Sequence, residues 1–134
     1  MSAFYVTTPI YYVNDRPHIG TAYSTIAADV LARYHRLRGD PTRFLTGLDE
    51  HGQKIERRAQ EVGMDPQAYV DGMTPPFEEA WKTLSCAYDD FIRTTEPRHK
   101  ERAQELWRRC QARGDIYEAE YEGHYCVGCE AYYT

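Results

Sequence analysis

The feature that most narrows what this chain can fold into is an alternation near its start. A short strand-like run is followed by a long helical pattern and then a second strand-like run. Phe4 to Thr8 is β-branched and aromatic and ends at Pro9, as a buried strand would. Ile10 to Pro17 reads as a loop, with Asn14-Asp15 as turn residues. Ala22, Ile26, Ala27, Val30, Leu31, Tyr34 and Leu37 then recur at three- and four-residue spacing, and Gly39 supplies the stop. Thr42 to Thr46 reads as a second strand, Gly47 to Gly52 as a loop, and Gln53 to Val62 as a helix closed by Gly63. Strand, helix, strand, helix in that order predicts an α/β domain with a parallel sheet.

The remainder extends the pattern. Asp65 to Leu84 is helical with a break expected at Pro75-Pro76, and Asp90 to Thr94 is a third strand. Glu96-Pro97 opens a helix running to Arg113, with Thr95 as its expected N-cap and Gly114 as its stop. From Ile116 the composition shifts to tyrosine, glycine and cysteine, which predicts a small β-rich module that the sequence enters and leaves unfinished at Thr134. The chain is therefore expected to be a fragment. With 134 residues, 42% hydrophobic and 28% charged, it has the make-up of a soluble globular domain. It has no apolar run near the ~18 residues a membrane span needs, and no basic segment with an apolar core at its start. No membrane partner and a cytoplasmic location are expected. The net charge of −5 argues against a surface dedicated to coating nucleic acid.

Three features carry chemistry. Pro17-His18-Ile19-Gly20 lies between the first strand and the first helix, where an open α/β sheet binds ligands. A histidine there can donate a hydrogen bond to a phosphate oxygen as charge builds, and Gly20 lets a flat ring approach the backbone. By itself a His-x-Gly tripeptide is equally the mark of a helix cap. Cys126-Val127-Gly128-Cys129 has the form of one knuckle of a zinc site, two ligands of the four that zinc takes. Cys86 and Cys110 stand in helical patterns and read as inert. The third feature is the stretch Arg98, Lys100, Arg102, Arg108, Arg109 and Arg113. Interleaved with Glu96, Glu101 and Glu105, it reads as a solvated, salt-paired helix face.

Several separated motifs in one order are more specific than any one alone. Tyr11-Tyr12-Val13-Asn14, Pro17-His18-Ile19-Gly20, Gly47-Leu48-Asp49-Glu50-His51-Gly52, Asp89-Asp90-Phe91-Ile92-Arg93-Thr94-Thr95 and Tyr121-Glu122-Gly123-His124-Tyr125-Cys126-Val127-Gly128-Cys129 together resemble the methionyl-tRNA synthetases, across essentially the whole chain. The resemblance implies the first half of a Rossmann-like nucleotide-binding fold over residues 1–115, and the start of a zinc-binding connective insert over 116–134. It implies an ATP-dependent ligase that activates methionine and transfers it to tRNA(Met), with ATP and Mg2+ as substrate and Zn2+ held in part by Cys126 and Cys129. By position, Pro17, His18, Gly20 and Thr21 match the signature that holds ATP, and His18, Gly20 and Thr21 are its catalytic members. Ile10 and Tyr12 match the wall and lid of the methionine pocket, and Asp49 the carboxylate that pairs with the methionine amino group.

Two positions depart from the family. Thr21 stands where a second histidine is usual, and Leu48 where a small or polar residue is usual. Threonine keeps a hydroxyl, so Thr21 is expected to be tolerated. The lysine-rich second signature of the class has no counterpart among Lys54, Lys82 and Lys100, so these 134 residues alone are not expected to charge tRNA. The competing readings are a small nucleotidyltransferase with a related His-x-Gly-His loop, and a binding module that keeps the fold without the chemistry.

Overall fold

Every strand of the main sheet is ordered around one central strand. In the computed structural model, which describes residues 3–133, β3 (Thr42–Asp49) pairs in parallel with β1 (Phe4–Thr7), β2 (Tyr11–Tyr12) and β4 (Asp90–Arg93). Leu45 is opposite both Thr7 and Asp90, and Leu48 is opposite both Tyr11 and Arg93. Strands β1 and β2 are thus successive segments of one edge, and β4 forms the other. Four residues separate Thr7 from Tyr11 while three separate Leu45 from Leu48, so the edge carries one extra residue, a bulge around Pro9 where no ladder donor is available.

Two stretches read as loops are strands here. Tyr11–Tyr12 pairs with Leu48 and Asp49, and β3 runs three residues past Thr46 because it has a partner on both edges. Gly47 permits this: a Cβ there would stand 2.0 Å from the carbonyl oxygen of Ile92, its partner in β4. Only glycine lets the two backbones meet so closely.

Helix α1 (Ile19–Leu37) crosses from β2 to β3, and α2 (Gln53–Glu61) and α3 (Pro66–Thr83) connect β3 to β4. The helical period expected for α1 is present, but its buried face is Thr25, Ala28, Asp29 and Ala32. Ile26, Val30, Leu31, Tyr34 and Leu37 are exposed. The polar members of the buried face are satisfied: Thr25 shares a hydrogen bond with the Tyr11 hydroxyl at 2.8 Å, and Asp29 accepts from the Ala87 amide at 2.7 Å and from Arg33. Helix α3 does not break at Pro75-Pro76 but runs through them. The carbonyls that lose their donors belong to Asp71 and Gly72, both exposed to water, and the Thr74 hydroxyl donates to the Val70 carbonyl one turn back.

The principal core lies between the sheet and α2 and α3. Trp81, Phe77, Leu48, Ile55, Val13 and Val70 are fully buried, with Tyr11 against both Phe77 and Trp81. A smaller cluster of Ala28, Ala32 and Phe44 lies under α1. Compact packing divides the chain between Lys100 and Glu101, inside α4 (Pro97–Ala112). The second unit, taken alone, contains most of α4 and an antiparallel hairpin, β5 (His124–Cys126) with β6 (Ala131–Tyr133). Its hairpin is held by tyrosines, with the Tyr132 ring 4.9 Å from those of Tyr121 and Tyr125. On α4, Arg109 pairs with Glu105 at 2.7 Å, in keeping with a solvated helix face. Among the described residues no helix is long and apolar enough to cross a membrane.

Candidate active site at the carboxyl end of the sheet

Parallel strands end together, so Tyr12, Asp49 and Arg93 mark one end of the sheet. Tyr12 and Asp49 are direct partners in the ladder, which brings two of the expected methionine-pocket residues side by side. Ile10, expected as the pocket wall, lies in the bulge just before Tyr12 and is 39% exposed. The segment after β2 turns straight back into α1, so the N-terminus of that helix, with Pro17, His18, Gly20 and Thr21, opens at the same end. The partial positive charge of a helix N-terminus favours an anion there.

His18 is the N-cap of α1. Its Nδ1 accepts from the Gly20 amide at 3.0 Å, which in the neutral ring leaves the hydrogen on Nε2. The exposed ring therefore holds a donor away from the helix, where a phosphate oxygen could accept it. The flat ring that comes close to Gly20 is this imidazole: a Cβ at residue 20 would stand 2.9 Å from Cε1 and 3.0 Å from Nδ1 of His18. Thr21 closes a capping box. Its hydroxyl accepts from the His18 amide at 3.0 Å and donates to the His18 carbonyl at 2.7 Å. The single hydroxyl hydrogen is thus already used, so in this arrangement Thr21 has none to offer a phosphate.

At the end of β3, Asp49 is half-buried and the neighbouring Glu50 is buried completely in its side chain. As a bare pair these carboxylates could equally have served a helix dipole, but Glu50 is turned inward. One oxygen accepts from Nε of Arg93 at 2.7 Å and the other from the Thr95 hydroxyl. Its amide donates to the Thr94 hydroxyl at 2.8 Å, and the next residue, His51, places Nε2 3.2 Å from the Thr94 carbonyl. Arg93 also bridges to Asp71 on α3. Burial works against the Arg93 charge, but its bonds to Glu50 and Asp71 more than offset this and hold it firmly protonated. The same bond from Arg93, then one from Gln67, lowers the pKa of Asp71.

Thr95 is therefore not the cap of α4. The carbonyl of Glu96 receives the Lys100 amide at 3.1 Å and starts that helix, while the Thr95 hydroxyl is committed to Glu50. The roles that Arg93, Thr94 and Thr95 take around Glu50 and His51 could not be read beforehand, because those partners lie 43 to 45 residues away in the chain. The available signal was their place in the Asp89–Thr95 motif, with a charged Arg93 closing the strand.

Elsewhere, Cys126 ends β5 and Cys129 lies in the turn of the β5–β6 hairpin, neither in a disulfide. Among the described residues no three of His, Cys, Asp or Glu gather in a way that could hold a metal ion. A surface cleft of about 450 Å3 lies beside Pro75, Glu79, Lys82, Cys86 and Tyr88, apart from the residues described above. Burial there pushes the Cys86 thiol up, consistent with an unreactive sulfur.

Comparison with known proteins decides the family. The family model described as tRNA synthetases class I (M) matches residues 4–134. The chain belongs to the class I (M) tRNA synthetases. Among relatives within this family, the methionine–tRNA ligase of Fusobacterium nucleatum is 56% identical over 97% of the chain, and that of Streptomyces coelicolor is 55% identical over 97%. The chain spans 20% and 24% of their respective lengths. Among solved structures, Mycobacterium tuberculosis methionyl-tRNA synthetase in complex with methionyl-adenylate superimposes with a TM-score of 0.94 at 44% identity, covering 99% of this chain and 26% of that one.

Proposed function

We propose that this chain carries part of the amino-acid-activating site of a methionine–tRNA ligase. In that reaction a carboxylate oxygen of methionine attacks the α-phosphorus of ATP, pyrophosphate leaves, and the methionyl-adenylate then acylates tRNA(Met). The observation that carries the reading is the likeness, at 44% identity and a TM-score of 0.94, to a synthetase solved with methionyl-adenylate. The arrangement of the site supports it. Asp49, at the end of β3, receives the methionine ammonium in a charge-assisted bond, with Tyr12 beside it and Ile10 as the apolar wall for the thioether. His18 presents Nε2–H to the phosphate, where a fixed donor stabilises the charge that develops during attack. Pro17 and Gly20 shape the opening of the helix for ATP, which enters as its Mg2+ complex. Thr21 acts in this site by holding the backbone of His18.

Residues 116–134 are read as the beginning of a zinc-binding insert. The hairpin fits half of such a site: one thiol at the end of β5 and one in the tight turn that follows, with Glu130 at a φ of 51°. Cys126 and Cys129 would hold the ion, whose contribution would be structural, and a tetrahedral set needs two ligands more.

The test is methionine-dependent exchange of pyrophosphate into ATP, catalysed by the full-length protein. Exchange with methionine far exceeding that with leucine, isoleucine or valine supports the reading. Equal exchange with all four, or none with methionine, overturns it.

A further inference from the structure

We infer that Glu50, through Arg93 and Thr95, is a positioning residue for methionine binding. This rests on the reading above, in which Asp49 receives the methionine amino group. The carboxylate of Glu50 is wholly buried and turned back into the protein, next to the half-buried Asp49 at the end of β3.

Four contacts bolt the two residues after Asp49 to the end of β4. They are the Glu50 amide to Thr94, its two carboxylate oxygens to Arg93 and Thr95, and the His51 ring to the Thr94 carbonyl. The bolt continues to α3 through Arg93 and Asp71. A carboxylate that binds an ammonium by geometry must be held in place before the ligand arrives, or the ordering is subtracted from affinity. The Asp49 backbone has its ladder partner Tyr12 on one side, and its chain neighbour Glu50 supplies the fixture on the other.

A buried ion pair is weak evidence for stability as such, since desolvation takes back much of the attraction. Arg93 retains this arrangement in the half-buried rim of the sheet, where an apolar pair of equal volume would hold the core as well. What the polar pair adds is direction: two oxygens and a planar guanidinium permit one orientation of the strand end. The ATP side does not depend on this network, because His18, Gly20 and Thr21 are held by contacts within their own turn.

The two sides should therefore separate kinetically. In the full-length protein, Glu50→Gln is expected to raise the KM for methionine tenfold or more in pyrophosphate exchange, and to leave the KM for ATP within threefold. Thr95→Val, which removes one bond and keeps the shape, is expected to raise the methionine KM by threefold to tenfold, and Thr95→Ser to recover most of that loss. Were Glu50→Gln to misfold, Thr95→Val against Thr95→Ser decides the matter.

A methionine KM within twofold of wild type in the folded variants overturns the inference. So does a uniform fall in kcat with both KM values unchanged, which is the mark of a smaller folded fraction. Absence of methionine-dependent exchange in the wild-type protein would instead defeat the underlying functional reading.

Discussion

His18 is held by hydrogen bonds that span two or three residues of chain, whereas Glu50 and His51 are held by bonds that span 43 to 45. Both sit at one end of one sheet, yet they are built in opposite ways. The cap of α1 is assembled by neighbours in sequence and is exposed to water. The loop after β3 exists only once β3 and β4 have paired and α3 has been laid alongside. Local devices such as a capping box contribute about 1 kcal/mol, while leaving a buried charge without its partner costs about 3–5 kcal/mol. The two sides of the site should thus differ in how much of the fold depends on them.

The largest effect is expected on the long-range side. Glu50→Ala leaves the Arg93 guanidinium and the Thr95 hydroxyl without their partner and should lower stability by about 3–5 kcal/mol, measured by urea denaturation. A loss below 1 kcal/mol would erase the contrast. On the local side, His18→Ala should reverse the balance. Methionine-dependent exchange in the full-length protein should fall by about 10²–10³-fold, as for loss of a transition-state donor. Stability should change by only about 1 kcal/mol.

Thr21 sharpens the local half further. Thr21→Val removes both hydroxyl bonds to the His18 backbone and should cost about 1 kcal/mol, while Thr21→Ser should be close to neutral. A large loss in Thr21→Ser would mean that the methyl group, and not the cap, carries the residue.

The smallest effect concerns the opposite end of β4. Asp90 accepts from Arg98 at 2.9 Å and from Arg43 at 3.1 Å, and its pKa lies below the usual carboxylate range, chiefly through the bond from Arg98. A depressed folded pKa stabilises the fold above the unfolded value. That contribution is lost as pH falls through the folded one, below about pH 4. Both arginines are largely in water, so the contribution is screened and small. Asp90→Asn should flatten the acid limb of a stability–pH curve slightly and leave the neutral region unchanged. A large neutral-pH loss would place Asp90 with Glu50 instead.

Much of the framework was legible beforehand because it depends on near neighbours. The strands Phe4–Thr7 and Asp90–Arg93, the helices, their glycine stops and the placing of His18 before α1 all follow from residues within one or two turns of each other. The expectations that failed were settled either by solvent around the chain or by a partner far away in sequence. Pro75-Pro76 does not interrupt α3, because the carbonyls it orphans lie in water and Thr74 supplies a local bond. Gly47–Asp49 is strand and not loop, because β2 and β4 offer ladders on both edges. Thr95 does not cap α4: that helix starts one residue later, from Glu96, and the Thr95 hydroxyl donates to the distant Glu50.

The family, and the placing of Pro17, His18, Gly20 and Thr21 at the start of α1, were thus in the order of the motifs themselves, since a cap, a turn and a short strand each need only the chain beside them. Which face of α1 is buried, and that Glu50 turns inward to meet Arg93, was decided by packing alone. Burial is a property of what comes to lie opposite. For Glu50 that opposite is a strand end 43 residues away, which only the assembled sheet brings within hydrogen-bonding reach.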